Sequence, residues 1–212
     1  TSGRESITAK LTANLLEKSG VDRVLAMDLH SAQIQGYFDI PCDHIYGSPV
    51  LIDYLESLDL EEIVVVSPDV GGVARARAFA KLMNDAPLAI IDKRRAAHNI
   101  AESLTVIGEV KGKTAILIDD MIDTGGTICS GANLLKKEGA NRIFACASHA
   151  VFSPPSYERL SSKNLFEQVI VTNSIPVIHK DNFPQLKVLS VANMLGEAIW
   201  RIHEESSVSS MF

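Results

Sequence analysis

The sequence predicts an α/β fold, a parallel sheet covered by helices on both faces, and three observations carry that prediction. Short apolar runs such as "EIVVVSPD" and "AILIDD" are continuous rather than alternating, as strands buried on both faces require. Between them lie segments with apolar residues at helical spacing. The two patterns alternate along the whole chain, with no repeat, low-complexity run or linker to interrupt them.

Each element follows from its own residues. "ITAKLTANLLEKSG" places Ile7, Leu11, Leu15 and Leu16 at helical spacing and ends on Gly20, a helix stop. "RVLAMDLH" reads as the next strand and "PVLIDYLESL" as a helix. "EIVVVSPD" is a buried strand, "VARARAFAKLMN" a helix and "LAIID" a strand. "AILIDD" leads into the helix "TICSGANLLKKEGA", then come the strand "RIFACASHAVF", a helical "PSYERLSS" and the strand "EQVIVT". "LKVLSV" and the helix "NMLGEAIWRIHEE" complete the series.

Composition narrows the function classes. With 212 residues, 46% hydrophobic and 22% charged, the chain buries a sizeable core as one domain or one and a half. No apolar stretch approaches the ~20 residues of a bilayer crossing, and "TSGRESITAK" lacks the order of a secretory signal. The 3 cysteines, Cys42, Cys129 and Cys146, are scattered, which suggests a reducing, intracellular compartment and neither disulfides nor a zinc knuckle. A net charge of -6 argues against a nucleic-acid partner, so an anionic ligand needs local devices such as backbone amides or a metal ion.

Ligands of such sheets bind beyond the carboxyl ends of the strands, and four candidates fall there. In "MDLH", Asp28 and His30 are two apart on an expected strand and project to one side, suited to a divalent cation or equally to backbone partners. In "VVVSPDVGG", Asp69 tops a strand and Gly71-Gly72 permit close approach of a ligand; a plain strand-to-helix turn explains them as well. "IIDKRRAAH" packs Lys93, Arg94 and Arg95 together, either as a solvated face or as cations of the same sheet edge. The strongest signal is "AILIDDMIDTGGTICSG". Its glycines, the Thr124 and Thr127 hydroxyls and the following helix's amides make an anion cradle without lysine. Asp119 and Asp120 suit vicinal sugar hydroxyls, and sugar plus phosphate is a ribose 5-phosphate group.

"AILIDDMIDTGGT" resembles the ribose-phosphate loop of the type I phosphoribosyltransferase fold. Together with "MDLHSAQIQGYFDIP", "VVSPDVGGVARARAFAK", "IIDKRRAAHN" and "ESSVSSMF" it is similar to the class I ribose-phosphate pyrophosphokinase (PRPP synthetase) family, in its cyanobacterial or plastid form. The resemblance implies transfer of the diphosphoryl group of ATP to the 1-hydroxyl of ribose 5-phosphate, giving PRPP and AMP for nucleotide biosynthesis. It implies Mg2+ held by His30 and Asp69, catalytic cations Lys93 and Arg95, and a ribose 5-phosphate site of Arg95, Asp119, Asp123, Thr124, Gly125, Gly126 and Thr127. ATP and ribose 5-phosphate are the implied partners, phosphate and ADP the regulators, a homo-hexamer the complete assembly, and cytoplasm or plastid stroma the location.

The family carries a further half-domain ahead of "TSGRES", including an Arg-Gln pair that grips the nucleotide. The expected organisation is therefore residues 1–54 as the end of a first phosphoribosyltransferase-like domain, 55–205 as a complete second one and 206–212 as a tail. The isolated chain is expected to make little PRPP. Two other readings stand beside this one. A PRPP-consuming phosphoribosyltransferase shares the Asp-Asp and Thr-Gly-Gly-Thr loop without needing Lys93, Arg95 and His30 together. A non-catalytic regulatory subunit keeps the fold without turnover.

Overall fold

A computed structural model describes residues 7–94, 103–162, 165–178 and 183–212. It divides into two compact units, Thr1–Gly47 with Ala192–Phe212, and Ser48–Val191.

In the first unit, α1 (Thr8–Lys18) precedes β1 (Val24–Met27), a 3-10 segment (Ala32–Tyr37) and β2 (Cys42–Ile45). The two strands pair in parallel from Val24↔Cys42 to Met27↔Ile45. A C-terminal helix, Ala192–His203, belongs to the same unit. The apolar stripe that spacing gives α1 is on the surface, with Ile7, Leu11 and Leu15 exposed. In a self-contained domain such a stripe is normally buried.

The second unit contains α2 (Ser48–Glu56), β3 (Ile63–Ser67), α3 (Val73–Leu82), β4 (Leu88–Arg94), β5 (Ser103–Ile107) and β6 (Thr114–Ile122). It continues with α4 (Gly126–Lys137), β7 (Arg142–Ala150), α5 (Ser156–Leu160), β8 (Gln168–Thr172) and β9 (Leu186–Leu189). Among the described residues these strands form one seven-stranded sheet in the order β5-β4-β3-β6-β7-β8-β9. All neighbours are parallel except β4 and β5, which run antiparallel at the edge.

Two-residue periodicity divides the core into two layers. Val64, Val66, Ala115 and Leu117 face one side, packed with Ile128, Ala132 and Leu135 of α4 and Leu160 of α5. Val65, Ile116 and Ile118 face the other, with Leu51 and Leu55 of α2 and Ala76 and Phe79 of α3. Continuous apolar runs are what a sheet buried on both faces requires, and the expected parallel sheet flanked by helices is the fold observed.

Helix α2 buries Leu51, Ile52 and Leu55 in the core of the second unit, which therefore begins at Ser48, and the C-terminal helix groups with the first. Strand β5 was not anticipated; its five residues carry no turn signal that separates them from a loop. The strand expected through His30 stops at Met27, because Asp28 takes a left-handed conformation with φ of 41°.

Candidate active site

From β3 the chain crosses through α3 to β4 on one side, and the next parallel strand, β6, pairs on the other side of β3. The direction of winding thus reverses between β3 and β6, which is where an open α/β sheet leaves a crevice beyond its strand ends. Pairing of β3 with β6 ends at Val66↔Leu117, while β6 stays paired with β7 as far as Ile122↔Ala150. Past Leu117, the edge of β6 toward β3 is therefore released from the ladder. Two loops frame this crevice, residues 68–72 after β3 and 123–125 after β6.

The loop after β6 forms a cup of about 130 Å³ lined by Asp119 and by residues 121–128. Gly125, in the left-handed conformation with φ of 73°, turns the chain into α4. A Cβ there would lie 3.3 Å from Leu160 Cγ, so both the dihedral and the packing select glycine. No side chain caps α4, and the residues of its first turn, whose amides lack carbonyl partners within the helix, line the cup. Thr124 and Thr127 are exposed at its rim, and the Arg159 guanidinium of α5 donates to the Thr124 carbonyl at 3.1 Å. Together these features make an anion-binding concavity.

Beside the cup stand the two acids. Asp119 is partly exposed and lines it, whereas Asp120 is buried. Arg75 of α3 reaches both: its Nη1 lies 3.2 Å from Oδ1 of Asp119 and 3.2 Å from Oδ1 of Asp120. The Asp120 amide also donates to Asp119 Oδ1 at 2.9 Å. Burial, reinforced by the neighbouring Asp120 carboxyl, pushes the Asp119 carboxyl up to about 7; attraction to Arg75 opposes the rise without cancelling it. Sequence reading missed Arg75. The available signal was a cation in the first turn of the helix that follows the Asp69 loop.

Asp69 is exposed at the carboxyl end of β3, and its Oδ1 accepts the Gly72 amide at 2.8 Å. Ser67 Oγ donates to the Asp69 carbonyl at 2.7 Å, and a Cβ on Gly72 would approach that hydroxyl to 2.9 Å. Gly72 thus serves the packing of its own turn. Lys93 lies on β4, with an exposed side chain, opposite Leu104 of β5; the strand runs on to Arg94 rather than stopping at Asp92. Arg95 lies outside the described residues.

His30 belongs to the first unit and is exposed. The expected Asp28 and His30 pair on one strand face does not form. Asp28 has left the strand, is buried, and accepts the Gly47 amide at 2.8 Å through Oδ2. Among the described residues no group of three His, Cys, Asp or Glu side chains gathers as a complete metal cage. Cys42, Cys129 and Cys146 are free thiols, and burial raises the pKa of each. No helix among the described residues is long and apolar enough to cross a membrane.

The phosphoribosyl synthetase-associated domain family matches residues 95–212. The chain is 95% identical over 212 residues to a ribose-phosphate pyrophosphokinase of Prochlorococcus marinus subsp. pastoris, spanning all of this chain and 64% of that protein. It is 65% identical over 214 residues to ribose-phosphate pyrophosphokinase 1 of Spinacia oleracea, again all of this chain and 63% of that protein. In structure it superposes on phosphoribosylpyrophosphate synthetase from Mycobacterium smegmatis with a TM-score of 0.88 and 45% identity, over 96% of this chain and 66% of the other.

Proposed function

We propose, from the premise that this chain belongs to the phosphoribosyl synthetase-associated domain family, that it carries the ribose 5-phosphate half of a ribose-phosphate diphosphokinase site. The observation that carries this reading is the cup after β6, where Asp119 stands beside an uncapped helix N-terminus at the point where the sheet reverses its winding. A carboxylate accepts hydrogen bonds from sugar hydroxyls and backbone amides hold a phosphate, so the two recognise a sugar phosphate together.

In the proposed reaction the 1-hydroxyl oxygen of ribose 5-phosphate attacks the β-phosphorus of ATP. A bond to the β,γ-diphosphoryl group forms, AMP leaves with the bridging oxygen, and the hydroxyl proton passes to solvent. Asp119 and residues 123–127 fix the acceptor sugar, which contributes by positioning. Lys93 and Arg95 neutralise charge that develops on the transferred group. Asp69 would hold Mg2+. The exposed Asp69 carboxylate, with one oxygen engaged by Gly72, suits the sparse protein ligation this ion takes beside substrate phosphates. When bound, the ion supplies charge neutralisation on the nucleotide phosphates.

The chain spans 64% of the length of the Prochlorococcus relative. The proposal therefore assigns the rest of the ATP site, and the rest of the first phosphoribosyltransferase-like domain, to the relatives' additional segment. The exposed Ile7, Leu11 and Leu15 stripe supports that assignment. The second unit is then the second such domain. Assembly as a homo-hexamer, regulation by phosphate and ADP, and action in cytoplasm or plastid stroma belong to the same reading.

The test is product analysis of a full-length protein carrying this chain, supplied with ATP and ribose 5-phosphate. Equimolar PRPP and AMP are expected. Ribose 5-phosphate binding without any AMP would favour a non-catalytic subunit, and turnover only with PRPP and a base would favour a phosphoribosyltransferase.

A further inference from the structure

Consecutive residues on a strand point to opposite faces of the sheet, so one cation seldom contacts both. Arg75 does so with Asp119 and Asp120, at 3.2 Å each. The topology explains how. Because β3 stops pairing with β6 at Leu117, no strand among the described residues covers the edge of β6 beside Asp119 and Asp120 on that side, and α3 brings Arg75 against it. The two acids are not equivalent there. Asp120 is buried, and Asp119 is the one that lines the cup.

We propose that Arg75 is a positioning residue for ribose binding, acting through the two acids without touching the sugar: it offsets the buried charge of Asp120, so that Asp119 meets the sugar hydroxyls as an oriented carboxylate. The inference rests on the reading of Asp119 as a ribose ligand. Burying an uncompensated carboxylate is costly, and two adjacent carboxyls resist ionising together. Removing a cation that lies 3.2 Å from both carboxyls makes the pair easier to protonate, and a neutral Asp119 accepts hydrogen bonds more weakly than a charged one. The groups facing Asp119 are consistent with this balance. Asp120 lies on its own strand, Arg75 comes from α3, Asp123 lines the same cup, and the residue in register on β7 is the uncharged Ala147.

The test uses steady-state kinetics of a full-length protein carrying this chain, with Arg75→Met, Arg75→Lys, Asp119→Asn and the double variant Arg75→Met/Asp120→Asn. Arg75→Met is expected to raise the KM for ribose 5-phosphate about tenfold, the scale of one charge-assisted hydrogen bond, with the KM for ATP within about twofold. The acid limb of kcat/KM for ribose 5-phosphate should move to higher pH, because loss of the cation leaves Asp119 harder to ionise. Arg75→Lys should recover much of the affinity. Asp120→Asn should rescue Arg75→Met by removing the charge that Arg75 offsets.

The inference is overturned if Arg75→Met leaves the sugar KM and acid limb unchanged while Asp119→Asn raises that KM. It is equally overturned if the defect persists in the double variant, which means that Arg75 contacts the ligand itself. If Asp119→Asn has no effect, it is the ribose-site reading that fails. Should Arg75→Met not fold, the Lys variant and the double variant still decide.

Discussion

The amide of Gly72 donates to Asp69 Oδ1 at 2.8 Å, so the carboxylate expected to bind magnesium also closes the turn between β3 and α3. The two roles separate by substitution. Asp69→Asn keeps an oxygen for the Gly72 amide but loses the charge; Asp69→Ala loses both. The Asn variant should therefore match the parent in urea midpoint while requiring far more magnesium for activity. The Ala variant should show the same metal defect and in addition lose about 1 kcal/mol, the usual scale of one lost hydrogen bond. Denaturant titration and magnesium dependence measure the two effects separately, and an Asn variant with unaltered magnesium dependence would remove Asp69 from the proposed metal site.

Asp119 gives a pH dependence of known sign. Its carboxyl is raised from the ordinary 3.8 to about 7 in the folded chain, first by burial. A group with a raised folded pKa contributes stability that is fully present below its unfolded pKa and lost as pH rises through the folded value. The window is therefore pH 3.8 to about 7. Asp119→Asn removes the ionised form, so it should stabilise the protein above pH 7 by on the order of 1 kcal/mol and change little near pH 3. Thermal midpoints of both proteins across that range check it; a destabilised Asn variant above pH 7 would contradict the burial argument.

Lys93 is exposed on β4, and its proposed role is to meet charge that appears only during transfer. Such a contact lowers the barrier without strengthening ground-state binding. In a full-length protein, Lys93→Ala should reduce kcat about a hundredfold or more, roughly 3 kcal/mol, with the ribose 5-phosphate KM changed only a few-fold. A near-normal kcat would remove Lys93 from the proposed catalytic cations.

What the sequence disclosed follows from how local each signal is. Val64, Val65 and Val66 read as a strand buried on both faces because every one of them must be apolar, and they pack into two different core layers. The loop from Asp123 to Thr127 was legible because its glycines, hydroxyls and helix start are contiguous. Arg75 was not, since its partner Asp119 lies 44 residues away and only the end of β3 brings them together. Asp28 misled for a different reason: a single left-handed residue ended the strand, and nothing in "MDLH" marks an aspartate for that conformation. The edge strand β5 was hidden because its antiparallel pairing to β4 is a tertiary choice rather than a periodicity.

The same locality sharpens the test of the phosphate loop, where two adjacent glycines face different constraints. At Gly125 a β-carbon meets Leu160 at 3.3 Å and must adopt φ of 73°, a conformation that L residues rarely take. Gly125→Ala should therefore cost about 1–2 kcal/mol of stability with or without ligand. At Gly126 the dihedral is ordinary, and the nearest atom to an added β-carbon is Arg159 Nη1 at 3.5 Å, a normal contact. Since position 126 opens α4, alanine there costs the fold nothing and even improves helix propensity. If the cup holds the 5-phosphate, the methyl group of Gly126→Ala intrudes where the phosphate approaches the amides. That variant should keep its thermal midpoint yet lose ribose 5-phosphate affinity by tenfold or more, about 1.4 kcal/mol, while its affinity for ATP-magnesium is unchanged. Calorimetric titration of both ligands against both variants gives the answer, and a Gly126→Ala protein that binds ribose 5-phosphate normally would move the phosphate out of this loop.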